Sequence, residues 1–322
     1  MAPPDLDTPI DDQPVDDALV ERPVDGSIDT PRYGPTVRFV AVVAIALALF
    51  VATYVVLVTT EPGQRIENLA LRGAELRTDA EREAALGRLS VVTVALFGLA
   101  VVAVLAIGFL RRREPLAAMA AAAMVGAVVL AEVLKAVLPR PALVEGPDWL
   151  LRNSFPSGSA AVAASIAVGA LLVAPDRLRW ATLVAGGIAV ALIGEAVQTT
   201  GWHRLSDTIG GVVLAITIAA TGLSMLSIAG LVEPSGSARI DHRLRGGLLI
   251  MAAAAVVLGA GMAILPVAFP LVGAPGDARR SILQTALPLV GVGVTVLALV
   301  AFARVIEPYS LGRRRQTDPT PD

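Results

Sequence analysis

Uncharged apolar runs long enough, or nearly long enough, to cross a bilayer recur along this chain, and they constrain its fold more than any other feature. They read as 39–60, 89–110, 116–138, 157–174, 180–200, 208–232, 248–272 and 283–306. A hydrocarbon core of about 30 Å takes roughly 20 apolar residues of helix. Backbone inside it has to satisfy its own hydrogen bonds, which helices do and single strands do not. The chain is therefore expected to be all-α, a polytopic membrane bundle of eight spans with the fourth one short. Of its 322 residues 55% are hydrophobic, and the mean hydropathy is +0.70. A net charge of −2 leaves no basic field for nucleic acid. Cysteine is absent, which excludes disulfides and thiolate chemistry.

The stretches between the runs set the organisation. Residues 1–36 are rich in Asp and Pro without apolar periodicity, and are expected to be a disordered acidic tail. They do not read as a signal peptide, because the segment is acidic and its apolar region comes too late. A core of six spans is expected over 37–232, a further membrane hairpin over 233–307, and a basic, then disordered, tail over 308–322. Arginines orient the bundle. With both termini cytoplasmic, the inner segments hold Arg111, Arg112 and Arg113, then Arg177 and Arg179, then Arg239, Arg243 and Arg245, and the tail adds Arg313, Arg314 and Arg315. The outer segment 61–88 reads as an amphipathic helix on Ile66, Leu69 and Leu76. The outer face of a cell membrane then receives "PRPALVEGPDWLLRNSFPSG", "GWHRLSD" and "GAPGDARRS".

Ionisable groups within spans are costly and point to function or to pairing. Glu132 and Lys135 lie near the outer end of the third span, and Glu195 and Gln198 near that of the fifth, a depth at which all four could share one pocket. Lys135, the chain's single lysine, is either a ligand for an anion or the i, i+3 partner of Glu132. Arg140 stands between Pro139 and Pro141, a stiff exit that suits bidentate phosphate binding as well as contact with lipid headgroups. Ser157, Gly158 and Ser159 open the fourth helix, where free N–H groups and the dipole favour an anion, or where Ser157 is a plain cap. His203 and Asp207 stand four apart, so they share a face if the helix has begun. A carboxylate on one imidazole nitrogen sets the tautomer and frees the other to attack phosphorus. The alternative is an interfacial His beside a capping Asp. One His and one Asp are too few ligands for a metal.

In order, then, the chain presents Lys135, Arg140-Pro141, Ser154-Phe155-Pro156-Ser157-Gly158, and His203 ahead of Asp207. This resembles the type-2 phosphatidic acid phosphatase family of membrane lipid phosphatases, relatives of the vanadium haloperoxidases. "TTEPGQRIENLALRG" also looks like that family's first outer segment. The resemblance implies a six-helix core that removes phosphate from lipids at the outer face without a metal or other cofactor. It implies that Lys135, Arg140, Ser157 and Gly158 bind phosphate, that His203 attacks phosphorus and that Asp207 orients it.

Three departures from the pattern stand out. Lys135 and Arg140 have four residues between them where the family has six, which moves the ammonium about half a turn. Ser159 stands where the family has the histidine that protonates the leaving group, and a hydroxyl does not supply that proton near neutral pH. Ala196 and Val197 stand where the family has Ser-Arg. A missing acid costs about 10²–10⁴ in rate, least when the leaving group is a stable anion, so diphosphates are expected to outrun monophosphates. The functional expectation is a lipid phosphate or prenyl diphosphate phosphatase, or phosphotransferase, working through a phosphohistidine. The alternatives are a relative that binds a phospholipid headgroup without hydrolysis, and a lipid transporter.

Overall fold

The computed structural model describes residues 34–235, 242–268 and 276–312. The acidic segment 1–33, the loop holding Arg239, most of the loop before α11, and Arg313 to Arg315 lie outside the described residues. The chain runs α1 (Gly34–Thr53), extended by a π turn (Tyr54–Val58), then α2 (Glu61–Gly73), α3 (Asp79–Ser90), α4 (Val94–Leu110) and α5 (Glu114–Val137). After the four-residue α6 (Asp148–Leu151) come α7 (Gly158–Val173), α8 (Arg179–Thr199), α9 (Leu205–Ile228), α10 (His242–Ala268) and α11 (Gly276–Ile306). Two short strands, β1 (Val232–Pro234) and β2 (Tyr309–Leu311), pair antiparallel.

Among the described residues, five helices are long and apolar enough to cross a membrane, or six if α3 and α4, bent by 45° at their junction, are taken as one span. Of the eight runs expected, the fourth forms α7, only 16 residues long, and the end of the seventh lies outside the described residues. The second run is broken, because the Thr93 side chain accepts from the Leu96 N–H and starts α4 afresh. The segment 61–88 is likewise two helices. Leu76 falls in a 3-10 turn between them, and Thr78 and Glu81 form a capping box that opens α3.

The bundle is organised around α9. Of its apolar window 78% is buried, against 6% for α1, which faces outward along most of its length. Around α9 pack α1, α5, α7 and α11. Apolar contact gains little in hydrocarbon, so such packing depends on close approach of small residues. Gly210 lies under the Phe155 ring. Gly211 lets the first turn of α7 onto α9: a Cβ there would lie 2.5 Å from the Ser157 carbonyl oxygen and 2.9 Å from the Ala161 nitrogen. The last helix is joined to this core. It packs along α10 but also against α2, α8 and α9, and β2 at its end pairs with β1 at the end of α9. That ribbon closes the end of the bundle that holds Arg111 to Arg113. The ends of α5, α8 and α1 and the starts of α7 and α9 meet at the opposite end.

Because backbone, not a flexible side chain, meets the added carbon, Gly211→Ala is expected to destabilise the detergent-solubilised protein by roughly 1–3 kcal/mol. Gly98→Ala, with open space around it, is expected to be neutral or slightly stabilising. Thermal unfolding of the two variants side by side checks this.

Candidate functional site

Four segments converge where α5 ends and α9 begins. The prolines flanking Arg140 have their carbonyls held from two sides. The Tyr54 hydroxyl donates to Pro139 (2.5 Å), and the Gln64 amide donates to Pro141 (2.7 Å) while also reaching Val58 (2.7 Å). From below, the Asn153 amide donates to the carbonyls of Lys135 and Leu138, each at 2.9 Å. The Arg140 side chain, 2% exposed, is thereby fixed in the interior. Its nearest counter-charge is Glu67, at 3.9 Å, and neither Nη1 nor Nη2 has a hydrogen-bond partner among the described residues. A guanidinium with idle donors at such depth has the chemistry to bind an oxyanion.

The histidine is held by the turn that opens α9. His203 precedes the helix, so the shared helical face expected from the spacing does not form. Instead the N–H groups of Trp202 and His203 both reach the Val197 carbonyl (3.0 Å each), and the chain turns until Nδ1 lies 3.3 Å from Asp207 Oδ2. That oxygen also accepts from the Ser154 hydroxyl (2.6 Å) and the Arg204 N–H (2.8 Å). Asp207 is wholly buried, and its Oδ1 has no partner among the described residues. With Nδ1 turned to a carboxylate, the imidazole keeps Nε2 as its free nitrogen.

The other residues singled out from the sequence divide. Ser157 caps α7: its hydroxyl accepts from the Ala160 N–H (3.3 Å) and its own N–H donates to the Asp207 carbonyl (2.9 Å). Gly158 and Ser159 are half-buried. Lys135 is paired with Glu132 at 2.8 Å, and the pair lies against Gly158. Glu195 is turned away, bonded to Arg88 of α3 at 2.5 Å, so it does not share a pocket with Glu132 and Lys135. Ala196 and Val197 pack with Ala85 and Leu89 of α3. Arg204 does not stand free in place of the missing arginine. It donates to Asn68 (3.1 Å), Ser154 (3.0 Å) and the Leu150 carbonyl (2.5 Å), which ties α2 and the loop before α7 to the start of α9.

Sequence reasoning missed Glu67. Its carboxylate accepts from the Ser206 N–H (2.7 Å) and hydroxyl (2.9 Å) and faces Arg140. The signal was there: Gln64, Glu67 and Asn68 recur at helical spacing on one face of α2, and all three are buried. Their polar face turns inward to the site, while Ile66 and Leu69 pack against Leu205, Leu283 and Leu287. Burial, first, and then the nearby Asp207 push the Glu67 carboxyl up to about 7, against the opposing pull of Ser206 and Arg140.

The folded protein therefore holds a proton on Glu67 more firmly than the unfolded chain does. The stabilisation this gives is complete at low pH and is lost as pH rises from about 4.5 to about 7. Glu67→Gln, which stays neutral, is expected to gain stability relative to the native protein across that window, by on the order of 2–4 kcal/mol at its upper end. Melting temperatures of both proteins between pH 5 and 7.5 test this.

The chain matches no protein-family model, no characterised protein and no solved structure.

Proposed function

We propose that this membrane protein is a lipid phosphate or diphosphate phosphatase, or phosphotransferase, that works through a phosphohistidine at His203. One observation carries this: a His–Asp pair held for nucleophilic attack stands in the same buried cluster as an arginine whose donors are idle. The order of motifs, which resembles that of type-2 phosphatidic acid phosphatases, supports the same reaction. Arg140 would take two phosphoryl oxygens, aided by the start of α7 and by Lys135 once it is released from Glu132. His203 Nε2 would attack phosphorus and the bond to the leaving oxygen would break. Asp207, fixed by Ser154 and the Arg204 N–H, would hold the Nδ1 proton and balance the imidazolium. Water would then cleave the phosphorus–nitrogen bond. The arginine pattern favours placing both termini in the cytoplasm and the site at the outer face of the cell membrane.

A second reading, a binding protein that holds a phospholipid headgroup intact, is favoured by the engaged Arg204 and by Ala196 and Val197, which leave Arg140 without a second arginine.

Phosphate release by the detergent-purified protein separates the two. Phosphatidic acid, phosphatidylglycerol phosphate and a prenyl diphosphate are the substrates. We expect release that His203→Ala abolishes and that Arg140→Ala lowers by about 10²–10³. No release from any of them, with phosphatidic acid still bound and Arg140→Ala weakening that binding, establishes the second reading.

A further inference from the structure

The proposed reaction has a gap at its leaving group. An alkoxide departs badly without a proton, and Ser159 has none to give. The structure offers another donor. Glu67, 1% exposed, faces a small cavity (about 10 Å³) whose wall also includes His203, Arg204, Gln198, Gln284 and Leu287. That is about the room one oxygen atom or one water needs. The carboxyl and the imidazole therefore stand on a common space, with Arg140 3.9 Å from Glu67. The groups facing Glu67 are Ser206 and Asp207 on α9, Arg204 and His203 just before it, Arg140 after α5, and neutral Gln284 on α11.

We propose that Glu67 is the proton-transfer residue of this site, giving a proton to the leaving oxygen and taking one from the water that follows. It rests on the phosphohistidine reading above and goes one step beyond it. In the first half-reaction His203 Nε2 bonds to phosphorus, the ester bond breaks with its electron pair on oxygen, and the Glu67 proton moves to that oxygen. In the second, water attacks phosphorus, the phosphorus–nitrogen bond breaks with its pair on Nε2, and the water's proton returns to Glu67. Each turnover leaves the carboxyl as it began. The raised proton affinity of Glu67 keeps a usable fraction protonated up to about pH 7. Below that pH the site is expected to turn over monoesters. Above it, the preference for diphosphates expected from Ser159 emerges.

The experiment compares kcat/KM, which reads the steps through phosphohistidine formation, for phosphatidic acid, a prenyl diphosphate and 4-nitrophenyl phosphate. For Glu67→Gln we expect a loss of about 10²–10⁴ on phosphatidic acid and less than about tenfold on the other two, whose leaving groups are stable anions. A burst of nitrophenolate should also show the phosphoenzyme accumulating, because its hydrolysis has lost its base. Glu67→Asp, which keeps a carboxyl one methylene shorter, should recover part of the phosphatidic acid turnover and lose the burst. Equal losses on all three substrates in Glu67→Gln, or no selective recovery in Glu67→Asp, would overturn the proposal and give Glu67 a purely architectural role. The native protein gives an independent test: the ratio of phosphatidic acid to diphosphate turnover should fall above about pH 7, and a flat ratio overturns the proposal. Absence of His203-dependent release from every substrate defeats the phosphohistidine reading itself, and this step with it. Release that depends on His203 but not selectively on Glu67 defeats this step alone.

Discussion

The buried carboxylate of Asp207 is the interaction on which this end of the bundle depends. A single oxygen accepts from the Ser154 hydroxyl, the Arg204 N–H and the His203 ring, and the carbonyl of the same residue accepts from the Ser157 N–H. Two separate pieces of chain, the loop before α7 and the His203–Arg204 turn that opens α9, are thus referred to one point. In a region of low dielectric an unpartnered charge costs several kcal/mol, so any conformation that frees Asp207 from these donors is strongly disfavoured. The proposed chemistry and the fold share the same hydrogen bonds here.

Around Asp207 the charges form a near-balanced cluster. Arg204 is spent on structure, joining Asn68, Ser154 and the Leu150 carbonyl. Glu67 is bonded to Ser206, and Arg140 faces Glu67 at a distance too long for a hydrogen bond. The idle donors of Arg140 are the place where the cluster stays incomplete among the described residues. The last helix, beyond the six expected core spans, also contributes. Gln284 of α11 donates to the Gln198 carbonyl, and with Leu287 and Pro288 it walls the cavity beside His203. A segment that looks in sequence like a separate hairpin is in space part of the site's enclosure.

How much was legible follows from how local each determinant is. Helices were legible because uncharged runs in a bilayer have one backbone solution, but their lengths were not. The cap at Thr93 breaks one run, and the fourth run yields a helix of only 16 residues, most of them buried among other helices. The His203–Asp207 pairing was legible from its spacing, although a capping turn and not a helical face produces it. Pairing of Lys135 with Glu132 was one of two readings the spacing allowed, and it is the contact the structure contains. Glu195 was misplaced because its partner, Arg88, lies over a hundred positions away. Glu67 was overlooked because a carboxylate on an amphipathic outer helix looks solvated until the bundle closes over it.

By itself, then, the amino-acid sequence determined that this chain is a helical membrane protein and which residue types with phosphate chemistry stand at the ends of its apolar runs. Hydropathy, proline breaks and cap residues act over a turn or two of chain, so no tertiary contact is needed to read them. Only the tertiary structure decided which of those residues meet: that Arg204 is consumed, that Arg140 is idle, that Glu67 faces His203 and that α11 walls the site. These outcomes depend on burial and on partners far apart in sequence. The cost of desolvating a charge, which sets both its pairing and its protonation, exists only once the helices have packed.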